Sequence, residues 1–308
     1  MSFATRVSPI DAASRAFAQT KQALFPFRFE RWLALGLVAF LDQCGRMGGS
    51  GGYNHIGNWR GDAGESFRQA LDWVNAHVTL VVVLAALALV LIIGITALAL
   101  WLNSRGTFMY IDNVATGRAD VRRPWSEHRR HANSYFVWKF TIALLTLSAV
   151  ILTLVPLALT LVSVARRGFG PGAIAAIVCV AVVFFAIIVV AKLVSVALRD
   201  FVAPVQLLQD VPCGTALQLV APALRANLGA VLLYLVLKLV YALLLGITVV
   251  ALACVTCCLA LCCLVLPIIS QAILQPLFYF ERAWSLQLAA AMGFDLMTSL
   301  APESAPSL

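Results

Sequence analysis

Four long apolar stretches constrain this chain more than any other feature of its sequence. They cover residues 78–102, 140–165, 173–198 and 228–280. A helix needs roughly 20 apolar residues to cross about 30 Å of bilayer hydrocarbon. The first three stretches therefore supply one membrane-spanning helix each. The last is more than twice that length, so it supplies two helices joined by a tight turn.

The composition agrees with this interpretation. Hydrophobic residues make up 62% of the 308 residues, and charged residues only 12%, which is about half the share found in soluble domains. The apolar surface in excess of what a core can bury must face lipid. The sequence thus predicts an all-α integral membrane protein that forms a single membrane domain over 1–308.

A fifth, weaker apolar stretch covers 27–41. Its core of ten residues begins at Trp32 and has charged residues on both sides, so it is typical of a short span or of a re-entrant segment. We interpret it as a span, because the topology then closes as a six-helix transmembrane bundle.

The basic residues predict the orientation. With six spans and a cytoplasmic N-terminus, fourteen lysines and arginines lie on the inner side and five on the outer side, and the outer pair Arg166–Arg167 argues against this topology. The expected location is the plasma (inner) membrane, with both termini cytoplasmic. Attraction to anionic lipid headgroups explains the net charge of +8. The bilayer is therefore the expected partner, other membrane proteins are a second candidate, and nucleic acid is not expected.

The chain also suggests an internal repeat of one unit, an interfacial amphipathic helix followed by a transmembrane hairpin. The three units cover approximately 9–102, 103–198 and 199–285, and a C-terminal tail covers 286–308. The segments 108–133 and 201–227, which lead into the second and third hairpins, differ by one residue in length. In the first unit an apolar stripe at helical spacing is formed by Ile10, Ala13, Phe17 and Leu24. The alternative is that these segments are ordinary loops that are similar by chance.

Several short motifs carry a resemblance to a known family. They are Thr20–Phe27, Ser104–Met109, Arg199–Pro204, and the cysteine-rich run that leads to Arg282–Leu286. With them the chain resembles a family of uncharacterised prokaryotic polytopic membrane proteins, related in pattern to the membrane-anchoring domain of glycerophosphodiester phosphodiesterases. The resemblance covers nearly the whole chain. It implies an anchor without the catalytic domain, and it assigns no activity, cofactor or catalytic residue.

Lys238 is the best single candidate for a functional site. It lies ten residues, or about 15 Å, into its apolar stretch, where an unpaired ammonium group costs several kcal/mol. Gln271 and Gln275 lie four residues apart on one face of the last span and reach a similar depth. These three side chains are predicted to form a polar pocket. The alternative is a lysine that extends to the headgroups and glutamines that form ordinary interhelical hydrogen bonds.

Five cysteines crowd the predicted turn between the last two spans: Cys254, Cys257, Cys258, Cys262 and Cys263. The first two have the spacing of a redox or metal motif. They lie in an apolar run without neighbouring acids or histidines, which favours helix packing over a disulfide, and a disulfide over metal or redox chemistry. Cys254, Cys257 and Cys258 are accordingly weak metal candidates, and no cofactor is expected.

Two polar segments complete the prediction. Residues 43–76 are expected to form an outer glycine-rich loop followed by an amphipathic helix. The densest basic cluster contains Arg122, Arg123, Arg129 and Arg130. It is interpreted as a positive-inside patch against the lipid headgroups, with recognition of a specific anionic lipid or an acidic partner as the alternative.

No motif for hydrolysis, nucleotide binding or metal-dependent catalysis is present, and the 14 acidic residues are assigned almost entirely to loops. The function hypothesis is therefore a non-enzymatic multi-pass membrane protein, a scaffold or a lipid-associated component of the envelope. The alternative is a small-solute or lipid transporter in which Lys238 and Gln271 form the substrate site. An intramembrane thiol enzyme is a third hypothesis, and it needs reactive Cys254 and Cys257.

Overall fold

A computed structural model describes residues 7–44, 69, 72–168, 170–255 and 271–300. Within these ranges the chain forms helices and no strands, which confirms the all-α prediction. The helices are α1 (Pro9–Leu24), α2 (Phe29–Gln43), α3 (Val78–Thr116), α4 (Arg122–Glu127), α5 (Arg129–Arg167), α6 (Pro171–Ala197), α7 (Ala203–Gln209), α8 (Cys213–Ala226), α9 (Leu228–Val255), α10 (Gln275–Ala291) and α11 (Leu296–Leu300). A π-helical turn, Leu198–Val202, joins α6 to α7.

Four helical segments in the described part of the chain are long and apolar enough to cross a membrane: Val78–Thr116, Arg129–Val164, Pro171–Gln209 and Leu228–Ala251. Each contains one of the apolar stretches, or the first part of the longest one. The prediction of an α-helical membrane protein is therefore supported. Helix α2, at 15 residues, extends only about 22 Å, and whether the segment 27–41 crosses the membrane stays a prediction. The predicted outer segment 43–76 lies mostly outside the described residues, and its part 72–76 is helical.

The chain divides into two compact units. The first contains Met1–Cys44, Trp101–Trp138 and Val194–Leu308, and the second contains Gly45–Leu100 and Lys139–Leu193. In the second unit the described side chains are mainly exposed and apolar, and Thr153 is the only buried one among them. In the first unit two stretches of helix are buried on all sides, at Asn103–Val114 and at Leu198–Gln206.

Helix α1 is capped at its N-terminus by Ser8, whose hydroxyl accepts a hydrogen bond from the Asp11 amide at 3.3 Å. Its buried face consists of residues at a spacing of four, Ala12, Ala16, Thr20 and Leu24, and small residues allow close packing against α10. At the start of α1, the indole nitrogen of Trp284 donates to the Pro9 carbonyl at 2.8 Å. Of the predicted apolar stripe, Leu24 belongs to this packed face, whereas Ile10 and Phe17 are 61% and 66% exposed.

A glycine allows the closest helix contact in the first unit. A Cβ atom on Gly106 of α3 would lie 2.3 Å from the backbone of Leu41 and Asp42 at the end of α2. Since no side chain fits there, glycine fixes the separation of these helices. The same contact brings the Asn103 side-chain amide into a hydrogen bond with the Asp42 carbonyl, which satisfies a terminal carbonyl of α2.

Candidate functional site

Among the residues that the structure describes, three basic and three carboxylic side chains meet inside the first unit, and together we call them the ion cluster. They come from α2, the π-helical turn, α9 and α10, and they are Asp42, Arg199, Asp200, Lys238, Glu281 and Arg282. The formal charges of these six side chains cancel, so the cluster is electrically balanced. Such balance is required, because an unpaired charge removed from water costs several kcal/mol.

Asp42 lies at the centre of one half of the cluster and is fully buried. One of its carboxylate oxygens accepts a bond from Arg199 at 2.5 Å, and the other accepts a bond from Arg282 at 2.9 Å. The second terminal nitrogen of Arg282 donates to the Arg199 carbonyl at 3.0 Å. One carboxylate thus joins the end of α2 to the π-helical turn and to α10.

Lys238 lies at the centre of the other half. Its ammonium group contacts the Asp200 carboxylate, the Glu281 carboxylate at 3.1 Å and the Tyr234 hydroxyl at 3.2 Å. The Tyr234 hydroxyl in turn donates to Asp200 at 2.9 Å. Arg199 joins the two halves, because its second terminal nitrogen donates to Glu281 at 2.9 Å.

Arg199 and Asp200, two adjacent residues of opposite charge, both lie in the π-helical turn. Turns of this kind occur mainly as single insertions within α-helices, often at functional sites. Here all five residues of the turn are buried, so both side chains face protein. The side-chain Nε atoms of Arg199 and Arg282 are buried without a hydrogen-bond partner among the described residues, whereas their terminal nitrogens carry the ion pairs.

The predicted polar pocket residues lie at different positions in this region. Lys238 is part of the ion cluster, in contact with carboxylates. Gln275 is fully buried and donates to the Tyr110 hydroxyl at 3.1 Å, and Gln271 donates to the Gln43 side chain at 3.4 Å. The role of these three residues in binding a ligand stays a prediction.

The predicted basic patch lies on α4 and on the first turn of α5. Arg122, Arg123, Arg129 and Arg130 are all exposed. Arg123 pairs with Glu127 one turn away at 2.8 Å, and this hydrogen-bonded contact raises the pKa of the Arg123 guanidinium. The other three arginines form no salt bridge with a described residue, so their charge is available to an outside partner.

A buried arginine lies close to this patch. The Arg105 guanidinium lies over the rings of both Trp101 and Trp125, 5.3 and 5.4 Å from their centroids. It also donates to the Trp125 carbonyl at 2.9 Å. Aromatic faces stabilise such a cation, which accounts for the arginine in the motif Ser104–Met109.

The cysteine cluster is largely beyond the described residues. Cys257, Cys258, Cys262 and Cys263 lie outside them, and Cys254 is exposed near the end of α9. No group of three potential metal ligands occurs among the residues that the structure describes. In the amphipathic helix α8, burial raises the pKa of the Cys213 thiol to about 12, so that thiol is a packing residue and not a nucleophile.

The acidic members of the ion cluster were missed by sequence reasoning, which assigned nearly all acids to loops. That assignment is wrong for Asp42, Asp200 and Glu281, which lie in or at the ends of helices and are buried. A signal was present, since Arg199–Asp200 and Glu281–Arg282 are adjacent pairs of opposite charge inside otherwise apolar segments. Adjacent opposite charges in such a segment indicate a neutralised core position.

Comparison with known proteins gives one match. No curated protein and no solved structure matches the chain. The match is to the model of a family described as a family of unknown function, DUF7544, and it covers residues 7–301. This range includes every helix of the structure and all six members of the ion cluster. The chain therefore belongs to the DUF7544 family of unknown function.

Proposed function

We propose that this protein is a non-enzymatic multi-pass membrane protein that acts as a scaffold or lipid-associated component of the cell envelope. In this proposal the ion cluster holds the helices together, and exposed basic and apolar surfaces carry the function. The observation that supports it most directly is the electrical balance of the cluster, whose three cations and three carboxylates neutralise one another.

A balanced cluster differs from a binding site for a charged solute. A site for an anion keeps a cation available, whereas Lys238 is already in contact with Asp200 and Glu281. An anionic solute would have to displace one of these carboxylates from Lys238 and add a further negative charge to a buried cluster that already contains three, at a cost of several kcal/mol. The transporter alternative, with its site at Lys238, Gln271 and Gln275, is for this reason less well supported than the scaffold proposal.

Three exposed arginines of the basic patch differ from the ion cluster, because their charges are not neutralised by neighbouring carboxylates that the structure describes. The guanidinium groups of Arg122, Arg129 and Arg130 form no salt bridge with a described residue, and each adds about 1 kcal/mol of attraction near an anionic membrane surface. Acidic segments of a partner protein present the same chemistry. The patch therefore supports an interaction role at the surface.

The finer architecture belongs to the same proposal. We place six spans in three repeats, each an interfacial helix followed by a hairpin, in the plasma (inner) membrane with both termini cytoplasmic. The proposal keeps the likeness to the membrane-anchoring domain of glycerophosphodiester phosphodiesterases as an analogy of pattern. In support, Arg105 and Arg199, at the starts of the second and third units, both lie in buried helical segments, as equivalent positions of a repeat would.

The test is neutralisation of the patch in the full chain. The Arg129→Gln/Arg130→Gln variant is purified from membranes in mild detergent, and the recovered proteins and anionic phospholipids are quantified against the wild type. We expect recovery to fall about fivefold for each arginine removed. The control variant, Arg15→Gln/Arg118→Gln, removes two exposed arginines from outside the patch and should not change recovery. Equal recovery from the patch variant and the wild type would contradict the proposal.

A further inference from the structure

An apolar pocket of about 520 Å³ lies in the first unit, separate from the ion cluster. Its walls are formed by α1, by Phe25 at the C-terminal end of α1, by α9 and by the first turns of α10. The lining residues are Phe17, Thr20, Lys21, Phe25, Tyr241, Pro276, Leu277 and Phe280. The volume falls within the range of small-molecule sites, about 300–1,000 Å³.

The polar groups in the walls do not face the cavity. The Tyr241 hydroxyl donates to the Leu277 carbonyl at 2.8 Å, and the Thr20 hydroxyl donates to the Ala16 carbonyl at 2.7 Å. Both hydroxyls are thereby satisfied within the protein, so the pocket is lined almost entirely by apolar atoms. An occupant of matching chemistry is a hydrocarbon.

The surroundings of the pocket indicate which hydrocarbon is available. Tyr241 belongs to Leu228–Ala251, one of the four candidate spans. On the side of this helix next to Tyr241, Leu244 is 56% exposed, and the lining residues Phe17 and Phe25 are 66% and 56% exposed. Since these apolar side chains require lipid as their solvent in a membrane protein, the pocket lies next to phospholipid acyl chains.

One wall residue carries a charge. Lys21 lies four residues from Phe17 on the same face of α1, in the last turn of the helix. It is exposed and forms no salt bridge with a described residue. A phosphate group at the mouth of the pocket would complement this ammonium group, which distinguishes the pocket from a plain apolar groove.

We propose that this pocket binds one anionic phospholipid, with an acyl chain between α1, α9 and α10 and the phosphate paired with Lys21. The inference rests on the membrane placement in the proposed function and adds a defined lipid site to it. It makes α1 a lipid-dependent element, because one face of this helix packs on α10 and the adjacent face contacts the bound chain.

The experiment measures lipids retained by the full-length protein. The chain is purified in mild detergent, mixed with equal amounts of dioleoyl phosphatidylglycerol and dioleoyl phosphatidylcholine, and analysed by native mass spectrometry. We expect the wild-type chain to retain one phosphatidylglycerol molecule in the pocket, in addition to any held by the basic patch. Leu277→Trp fills the cavity and should remove this molecule, whereas Leu243→Trp, on the exposed face of α9, should retain it.

The charge is tested by Lys21→Gln, which leaves the cavity intact. Its preference for phosphatidylglycerol over phosphatidylcholine should fall about fivefold, while Arg15→Gln, on another face of α1, should keep the wild-type preference. Retention of phosphatidylglycerol by Leu277→Trp, or an unchanged preference in Lys21→Gln, overturns the proposal. If Leu277→Trp does not fold, the Lys21→Gln comparison decides.

A photoreactive amino acid at position 277 separates the two possible occupants in native membranes. Cross-linking to phospholipid supports the proposal, and cross-linking to a second polypeptide overturns it. None of these variants alters Arg129 or Arg130, so failure of the pocket leaves the basic-patch proposal standing. If the basic-patch proposal fails, the number of phospholipids expected in the pocket of each variant likewise stays the same.

Discussion

The two compact units bury different kinds of side chain although both are built from apolar helices. In the second unit helix after helix exposes valine, leucine and isoleucine, as at Val90 (68% exposed) and Leu152 (74% exposed). In the first unit the interior contains arginines, aspartates and a lysine as well as aromatic rings. Arg282, at 1% exposed, is the largest of its fully buried side chains.

The difference shows what each unit requires from its surroundings. The exposed apolar helices of the second unit need a hydrocarbon solvent, and single substitutions on their surface remove few protein contacts. The first unit depends on specific ion pairs and close helix contacts, and each partner that is removed leaves another one buried and uncompensated. Substitutions that look similar in sequence should therefore have very different effects in the two units.

The largest effect is expected for Asp42→Asn. The amide has the same shape but leaves Arg199 and Arg282 without their shared carboxylate, so the free energy of unfolding should fall by about 3–5 kcal/mol. Denaturant titration in mild detergent measures it. The matched change in the second unit, Asp72→Asn at an exposed position, should leave the titration unchanged. Equal effects of the two variants would show that the cluster does not stabilise the first unit.

A smaller effect is expected from a pair of glycines. In Gly106→Ala the new Cβ would lie 2.3 Å from the backbone of α2, so the helices must separate, at a cost of about 3 kcal/mol. In Gly94→Ala of the second unit, no atom of the described residues outside the adjoining turns of the same helix lies within 4 Å of the new Cβ. This variant should gain up to about 1 kcal/mol from helix propensity. Thermal unfolding of both proteins in the same detergent gives the comparison, and a stable Gly106→Ala variant would contradict the close contact.

The smallest effect is the coupling between two members of the cluster. Lys238→Met and Asp200→Asn each unbalance the core, but the double variant removes one charge of each sign and restores neutrality. Its loss of unfolding free energy should be less than the sum of the single losses, by about 1–3 kcal/mol. Additive losses would mean that Lys238 and Asp200 act independently. The double variant also permits a transport assay without an unbalanced core, which Lys238→Met alone does not.

Individual residues show how far the sequence could predict the site. Lys238 was identified because a lone lysine in an apolar run needs a partner, and the structure gives it two carboxylates. The sequence groups Gln271 and Gln275 with Lys238 only by their predicted depth in the membrane. That depth does not specify which neighbouring helix a side chain faces. Asp42 was treated as a flanking charge of a short span, because nothing local shows that Arg199, 157 residues away, lies against it.

The sequence by itself determined that this is an α-helical membrane protein, and it located the apolar segments, because the cost of exposing backbone and polar groups to lipid is local to each segment. Only the tertiary structure decided that six charges cancel in one core, that Gly106 lies against α2, and that α1, α9 and α10 enclose an apolar pocket. These features depend on which helices pack together. Coulomb attraction and close packing act between atoms that are neighbours in space, and residues far apart in the chain become such neighbours only when it folds.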